Sequence, residues 1–386
     1  MPEIEITDTA YGGSGVGRDP EGKVYFVPFT VEGDRVYAEA VREKNSYTEA
    51  KLLKLISPSP LRQEPHCEYH SICGGCSFGH IRYESQIEIK KRFVNNALRK
   101  WEQRQTELEV ISADALDYRI RASFRIKNGE AGFFEAGSND FVPVKNCPVV
   151  KASLFDKVCR WAKETTSETE LLTLAVIENE EGRALARLSS KKPLTKEYSA
   201  GPFEYLATEG DNTVALTFAT AYGPVAVAPG GFFQSNRFLN LTFQKCAVQM
   251  AEGAYNITEL YAGSGFFTTG LMSLTDKVKG YELDRRAVEL GRYYDYPLYE
   301  KDAASVITSG VDTLFMDPPR EGLAKSLLKK IIAAKPRRII YVSCNPMTLA
   351  RDLAPFNEDY TVKRRVLADM FPHTYHTESL HLLEKK

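Results

Sequence analysis

Apolar and polar residues alternate through the first fifty-five positions, in the runs IEITDTAYGGSGVGRD, KVYFVPFTVEG and DRVYAEAVREK, with glycine and aspartate at the breaks. A period of two marks half-buried strands, and the pattern predicts a small five-stranded β-barrel over residues 1–55. Gly12, Gly13, Gly15 and Gly17 are expected in turns, since no Lys-Ser/Thr follows them and no helix opens behind them as a phosphate loop requires. SPSPLRQEP (57–65) is a proline-rich connector that places a boundary near residue 57. ESQIEIKKRFVNNALRKW (84–101) puts Ile87, Phe93, Val94 and Leu98 on one face of an amphipathic helix. Strand patterns then dominate to residue 228, including YRIRASFRIKNGEAGFFEAG with an Asn128-Gly129 hairpin turn. After residue 235 the rhythm becomes helix, short apolar strand, helix, which predicts a parallel, doubly wound sheet.

Composition narrows this picture. At 386 residues and 43.3 kDa the chain exceeds what one core usually serves, and 43% hydrophobic with 26% charged residues is the balance of a folded globular protein. No apolar run approaches the roughly 18 residues that span a bilayer, and the acidic start MPEIEITDTA is unlike a signal peptide, so cytoplasmic residence is expected. A net charge of −1 neither demands nor excludes a nucleic-acid partner, because only a local basic surface is needed. One stretch, 317–367, carries eleven Lys/Arg against five Asp/Glu.

Three motifs in the last third carry candidate chemistry. ITELYAG runs into Gly263-Ser264-Gly265, a turn where backbone can approach a ligand, and Glu282 follows 19 residues after Gly263, where it can accept hydrogen bonds from ribose hydroxyls. The third glycine of the dinucleotide pattern is misplaced, because Gly270 comes five residues after Gly265; this favours S-adenosylmethionine over a pyrophosphate ligand. Asp317-Pro318-Pro319-Arg320 closes the apolar strand VDTLFM at the carboxyl edge, where open α/β sheets bind ligands. Ser343-Cys344-Asn345-Pro346 precedes the helix-like MTLARDL, which places Cys344 beside a helix N-terminus and predicts a lowered thiol pKa. Near the end, His373, His376 and Glu378 cluster in PHTYHTESLHLL; the spacing matches no zinc helix motif and points to a general base or its support.

Seven cysteines in a reducing compartment favour metal or catalytic uses over disulfides. Cys67, Cys73 and Cys76 form C-x5-C-x2-C, and Cys147-Pro148 supplies a fourth thiol. Four thiolates suit zinc or a [4Fe–4S] cluster, and His66, His70 and His80 leave a mixed zinc site open.

Taken together, these motifs resemble the S-adenosylmethionine-dependent RNA uracil-5-methyltransferases, along nearly the whole chain. The resemblance implies an α/β multidomain protein: a TRAM-like OB-fold RNA-binding barrel at 1–56, a β-rich iron–sulfur domain at 57–228 and a Rossmann-like methyltransferase domain at 229–386. Cys67, Cys73, Cys76 and Cys147 match the family's [4Fe–4S] ligands in order and spacing, and FFQSN, ELYAGSG, DPPREGL, YVSCNPMTLARDL and PHTYHTESLHLL match its catalytic motifs. It makes Cys344 the nucleophile and Glu378 the base that removes the C5 proton. Gln234, Tyr261, Gly263, Gly265, Glu282, Asp302 and Asp317 fall on cofactor-contacting positions, and Phe232, Asp317 and Arg320 on the substrate side. One position departs: Phe266 stands where the family often has asparagine, which bears on one polar contact to the methionine part of the cofactor.

The chemistry accounts for the residue types independently. C5 of uracil is a poor carbon nucleophile until a thiolate adds at C6, and the methylated adduct must then lose its C5 proton before the thiol can leave. The implied partner is RNA, ribosomal before transfer RNA, with no membrane and no obligate protein partner, as a monomer. Three rival functions share these features: methylation of uridine 54 in transfer RNA, a nucleobase N-methyltransferase, which has no use for Cys344 or Glu378, and a non-catalytic iron–sulfur RNA-binding protein, against which the intact Cys344, Asp317 and Glu378 argue.

Overall fold

Alternate residues are buried in β1 (Glu3–Thr9), β2 (Ser14–Arg18), β3 (Val24–Pro28), the first half of β4 (Arg35–Glu43) and the start of β5 (Thr48–Ser57), and the five close into a barrel of order β1-β2-β3-β5-β4. Ile4, Ile6, Val27, Val36 and Ala38 fill it. The computed structural model that shows this describes residues 2–99, 106–164, 170–194, 197–208, 213–306 and 309–386. Gly12 and Gly13 turn the chain with φ of 121° and 91°. Gly15 and Gly17 instead lie inside β2, where a Cβ would stand 2.1 Å from Thr30 Oγ1 and 2.3 Å from the Glu5 carbonyl oxygen respectively. These two are glycines because neighbouring chain leaves no room for a side chain, not because the backbone turns.

The amphipathic pattern downstream forms α1 (Tyr83–Ala97), with Phe93, Val94 and Leu98 buried as expected and Ile89, rather than Ile87, completing the covered face. Lys100 and Trp101, where the helix was expected to end, lie outside the described residues. After β6 (Leu108–Ile111), the strands β7 (Arg121–Lys127) and β8 (Glu130–Phe134) meet at Asn128-Gly129, whose φ of 51° and 77° are what a type I′ hairpin requires. Following β9 (Phe141–Pro143), α2 (Ala152–Glu164) interrupts a region in which only strands were expected. Its signal is legible: Leu154, Val158 and Trp161 recur at helical spacing and are buried. Strands β10 (Leu172–Glu178) and β11 (Ala184–Ser190) pair antiparallel, followed by β12 (Tyr205–Ala207) and the hairpin of β13 (Leu216–Ala219) and β14 (Pro224–Val227).

The remainder alternates as its rhythm predicts: α3 (Asn240–Met250), β15 (Ile257–Leu260), α4 (Thr268–Leu271), β16 (Val278–Glu282), α5 (Arg285–Arg292), β17 (Leu298–Glu300), β18 (Thr313–Met316), α6 (Lys325–Ala334), β19 (Arg338–Ser343), α7 (Pro346–Leu353), β20 (Tyr360–Ala368) and β21 (Glu378–Lys385). The chain divides into two compact units. One comprises Met1–Phe93, Gly132–Pro148 and Phe371–His376, and the other Val94–Ala131, Val149–Met370 and Thr377–Lys386.

In the second unit, eight strands form one sheet of order β17-β16-β15-β18-β19-β21-β20-β6. Neighbours run parallel except at β21, which is antiparallel to both β19 and β20, so the expectation of a wholly parallel sheet is corrected at that strand. The reversal follows from the short return between β20 and β21, which has no crossover helix. Its consequence is positional: the first residue of β21 lies at the edge where the parallel strands end. The strands at the sheet centre, TLFM and RIIYVS, are buried throughout because both faces are covered.

Replacing Gly17 with alanine should cost ~1–3 kcal/mol by forcing a Cβ against the β1 backbone. The melting temperature of the variant checks this, and an unchanged value would mean that the β1–β2 spacing is not the reason for the glycine.

Candidate active site

The cofactor side of the site begins where β15 stops. Tyr261 leaves the strand with a φ of 64°, followed by Gly263 at 56° and Gly265 at 101°. At Gly265 a Cβ would stand 2.9 Å from the Tyr296 ring, so glycine is required by both conformation and space. Glu282, at the end of the neighbouring β16, closes the turn: its Oε2 accepts from the Gly263 N–H at 2.9 Å, and its Oε1 from those of Leu283 (2.7 Å) and Asp284 (2.8 Å). The carboxylate is thus fixed by backbone donors and keeps lone pairs for a ligand hydroxyl. Asp302 accepts from the Ala304 N–H at 2.9 Å. Burial, followed by the charges of Asp302, Asp352 and Glu282, raises the Tyr261 phenol pKa, so three acids surround that ring.

Glu259 is a site residue that sequence reasoning passed over. It is buried within β15, four residues before Gly263, and receives a hydrogen bond from Thr268 Oγ1 at 2.6 Å. Burial pushes its carboxyl up to about 8, with Asp317 and Glu282 adding to the rise. The available signal was an acid inside an otherwise apolar strand. Gln234 is buried, and its backbone carbonyl accepts from Asn240 Nδ2 at 3.3 Å. Its neighbour Phe232 is 64% exposed, with the Arg121 guanidinium 5.3 Å from the ring centroid. Such an arrangement leaves an aromatic face open for stacking.

Three strands bring the reacting groups together. Asp317 follows β18, Cys344 follows β19 and Glu378 begins β21, where Ser343 is paired with Ser379. Only the reversed strand delivers Glu378 to the edge at which Asp317 and Cys344 emerge. Burial pushes the Cys344 thiol up to about 12, with Glu378 and Asp317 adding to the rise and Arg320 opposing it. Burial also raises Asp317 to about 7, and it raises Glu378 well above the carboxylate range with the help of Asp317 and against Arg320. The expectation of a depressed thiol pKa is therefore wrong for the free protein. Asn345 is the N-cap of α7 and its side chain accepts from the Met347 N–H at 3.0 Å, so Cys344 precedes the cap, and burial first, with the two nearby carboxyls after it, outweighs what lowers its pKa.

His373 and His376 belong to the other unit from Glu378. His373 is buried, its N–H donates to Gln86 Oε1 at 2.8 Å, and its Nδ1 lies 3.2 Å from Gln86 Nε2, which makes it a packing residue of the first unit. The basic stretch 317–367 is also largely occupied internally. Lys335 pairs with Asp359, Arg337 with Asp312, Arg338 with Glu384, Arg351 with Asp352 and Arg364 with Glu109, while Arg365 and Lys330 donate to backbone carbonyls.

In the first unit, the Cys67–Cys76 loop is drawn to the Gly132–Pro148 segment by hydrogen bonds from Gly74 N–H to the Phe134 carbonyl (2.9 Å) and from Ala136 N–H to that of Ile72 (2.8 Å). Burial raises Cys73 to about 11, and the proximity of Cys147 and Cys67 adds to it. Cys76 is likewise half-buried. Among the described residues, no three His, Cys, Asp or Glu side chains converge as ligands of a single metal ion. His70 Nε2 and His80 Nδ1 face one another at 3.1 Å, and burial, with Arg62 nearby, lowers them to about 4 and about 3.

A family model described as tRNA (uracil-5-)-methyltransferase matches residues 304–386, and a TRAM-domain model matches residues 2–53. An uncharacterized RNA methyltransferase of Bdellovibrio bacteriovorus is 31% identical over 98% of this chain and 93% of its own length. A 23S rRNA (uracil(1939)-C(5))-methyltransferase of Chromohalobacter salexigens is 28% identical over 99% and 89%. The tRNA (uracil-54, C5)-methyltransferase of Pyrococcus abyssi, solved with S-adenosyl-L-homocysteine, superposes with a TM-score of 0.77 at 25% identity, covering 99% of this chain and all of that one. No helix among the described residues is long and apolar enough to cross a membrane.

The raised carboxyls predict a pH dependence. A group whose pKa is higher folded than unfolded stabilises the fold below its unfolded value and loses that contribution as pH climbs through the folded one. Melting temperature in the absence of ligands should therefore decline as pH rises from about 4 through about 7, the range between unperturbed and folded Asp317. Asp317→Asn should flatten the decline; an identical profile in the variant would sink the assignment.

Proposed function

Because the chain belongs to the family of S-adenosylmethionine-dependent RNA uracil-5-methyltransferases, we propose that it methylates C5 of a uridine in 23S ribosomal RNA through a bond between Cys344 and C6 of the base. The observation that carries the reaction is the meeting of Cys344, Asp317 and Glu378 at one sheet edge, each in the electrostatic field of the others. The ribosomal target is supported by relatives named for 23S rRNA, aligned over 98–100% of this chain. Transfer RNA is the second reading, favoured by the similarity in fold to the Pyrococcus enzyme.

In this mechanism the Cys344 proton passes to a carboxylate, and the sulfur electron pair forms the bond to C6 while the ring electrons move onto O4. S-adenosylmethionine, when bound, would supply the electrophilic methyl: C5 of the enolate would bond to that carbon as its bond to sulfur breaks, and the electron pair would leave with S-adenosylhomocysteine. Glu378, ionised by that stage, removes the C5 hydrogen; the C5=C6 double bond forms and the C6–S bond breaks, returning the thiolate. Gly263, Gly265, Glu282 and Asp302 hold the adenosine end, with Tyr261, Gln234 and Asp317 completing the donor pocket. Phe232 stacks on the RNA, and Arg320 steadies the negative charge of the adduct. The barrel at 1–56 serves RNA binding, the central 57–228 carries the cluster, and 229–386 carries catalysis, in a cytoplasmic monomer.

Cys67, Cys73, Cys76 and Cys147 fit a [4Fe–4S] cluster. All four are thiols on one unit, and burial opposes the charge of a bare thiolate at Cys73, a penalty that iron ligation removes. The cluster would brace this unit and takes no part in methyl transfer.

Cys344→Ala should abolish methyl transfer while leaving S-adenosylmethionine binding intact, and should form no RNA adduct. Glu378→Gln should instead accumulate a methylated protein–RNA complex that survives denaturing electrophoresis, because addition proceeds and proton removal does not. Adducts that form equally well without Cys344 would overturn the mechanism. Mapping 5-methyluridine in ribosomal and transfer RNA from a strain lacking the protein decides the target. Protein purified without oxygen should be brown, with about four irons per chain; stoichiometric zinc without iron would refute the cluster.

A further inference from the structure

The loop that carries Asp317 and Arg320 is fastened at successive residues to the helix that follows Cys344. Asn345 Nδ2 and Thr348 Oγ1 both donate to the Arg320 carbonyl, at 3.1 and 3.3 Å. Arg351 Nη2 donates to the Glu321 carbonyl at 2.7 Å. Asp352, fully buried, is the anchor: its Oδ2 accepts the Leu323 N–H at 2.7 Å and the Tyr341 hydroxyl at 2.8 Å, while its Oδ1 accepts from Arg351 Nε at 2.8 Å. Gly322, at a φ of 73°, lies so close that a Cβ would stand 2.3 Å from Asp352 Oδ2. The acid is therefore bonded from the loop, from β19 three residues before Cys344, and from α7 itself.

We propose that Asp352 is a positioning residue for the reaction: by clasping the 317–323 loop to β19 and α7, it holds Arg320 and Asp317 at fixed places beside the Cys344 thiol. The groups acting on that thiol are Glu378 from β21, Asp317 and Arg320 from the loop, and Tyr341 from its own strand. Of these, Arg320 alone favours the thiolate, and it is held by its backbone rather than by an element of its own. A carboxylate with three donors on two oxygens has no equivalent in an amide, whose NH2 would confront at least one N–H or O–H hydrogen. The clasp rests on the reading of Cys344 as nucleophile, but its geometry acts on the thiol whether or not RNA is present.

Asp352→Asn should lower kcat by ~10–100-fold through misplacement of the charged loop, while S-adenosylhomocysteine binding, which Asp317 also serves, weakens by a much smaller factor. In the same protein without RNA, iodoacetamide labelling of Cys344, followed by mass spectrometry of its peptide, should shift to higher pH as Arg320 drifts away. Tyr341→Phe removes one donor and leaves the carboxylate, so it should give a smaller change in the same direction. Gly322→Ala, which drives the loop off the acid, should reproduce the labelling shift if Asp352→Asn does not fold. A labelling profile unmoved in all folded variants overturns the clasp, as does a fall in kcat matched by an equal loss of cofactor binding. A labelling shift without methylation activity in the parent protein would retain the clasp and refute the nucleophile.

Discussion

Two carboxyl groups and a thiol share one sheet edge with a single guanidinium to oppose them, and much of the second unit is arranged around that imbalance. Asp317, Glu378 and Cys344 each disfavour ionisation of the others, and burial works in the same direction for all three. The free protein consequently keeps protons at this edge. Opposite charges at a few ångströms in a poorly solvated site interact strongly, so a sulfonium entering here would compensate what Arg320 alone does not. The resting thiol is then an economical state, since a nucleophile that ionises only in the loaded site is shielded from adventitious alkylation and oxidation.

This concentration of charge depends on topology. Parallel strands deliver only the residues after their last position to the carboxyl edge, and those of β15, β16, β18 and β19 supply the glycine turn, Glu282, Asp317 and Cys344. In the proposed mechanism a base faces the nucleophile from another direction, and a strand inserted backwards provides Glu378 as its first residue. Because β21 is paired on both sides along its length, Glu378 is held by backbone hydrogen bonds of the sheet and not by a loop. Glu378 is 6% exposed.

The candidate site was legible in the sequence where chemistry and chain position coincide. Glycines, prolines and an acid at a strand end announce a ligand edge, and the helix start at Asn345-Pro346 was readable from residue type alone. What escaped was whatever depends on neighbours distant in sequence. The place of β21 between β19 and β20 is set in part by pairing with β19, a strand distant along the chain, which no local pattern encodes. The expected thiol pKa follows a local rule, that of the helix N-terminus, which burial overrules, with the carboxyls that β18 and β21 bring to the same edge adding to the rise. His373 and Glu378, five positions apart, belong to different units, because the chain passes from one to the other between His376 and Thr377. Gly15 and Gly17 were taken for turns, although packing against β1 and Thr30 explains them.

Phe266 shows how a departure from a family pattern can be absorbed. Its ring lies edge-on to Phe233 at 5.6 Å and to Phe267 at 4.9 Å, and Phe233 stacks on Phe218 at 4.3 Å. Its carbonyl accepts a hydrogen bond from the buried Gln244, which also donates to Thr269 Oγ1 at 2.8 Å and accepts from the Ala221 N–H at 2.9 Å. The glycine turn is therefore held from below by aromatic packing and by one amide, with no polar side chain at position 266. Aromatic pairs add to the area they bury, and a side chain locked between two rings has little freedom to lose. Through Phe233 this packing links the turn to the segment bearing Phe232 and Gln234.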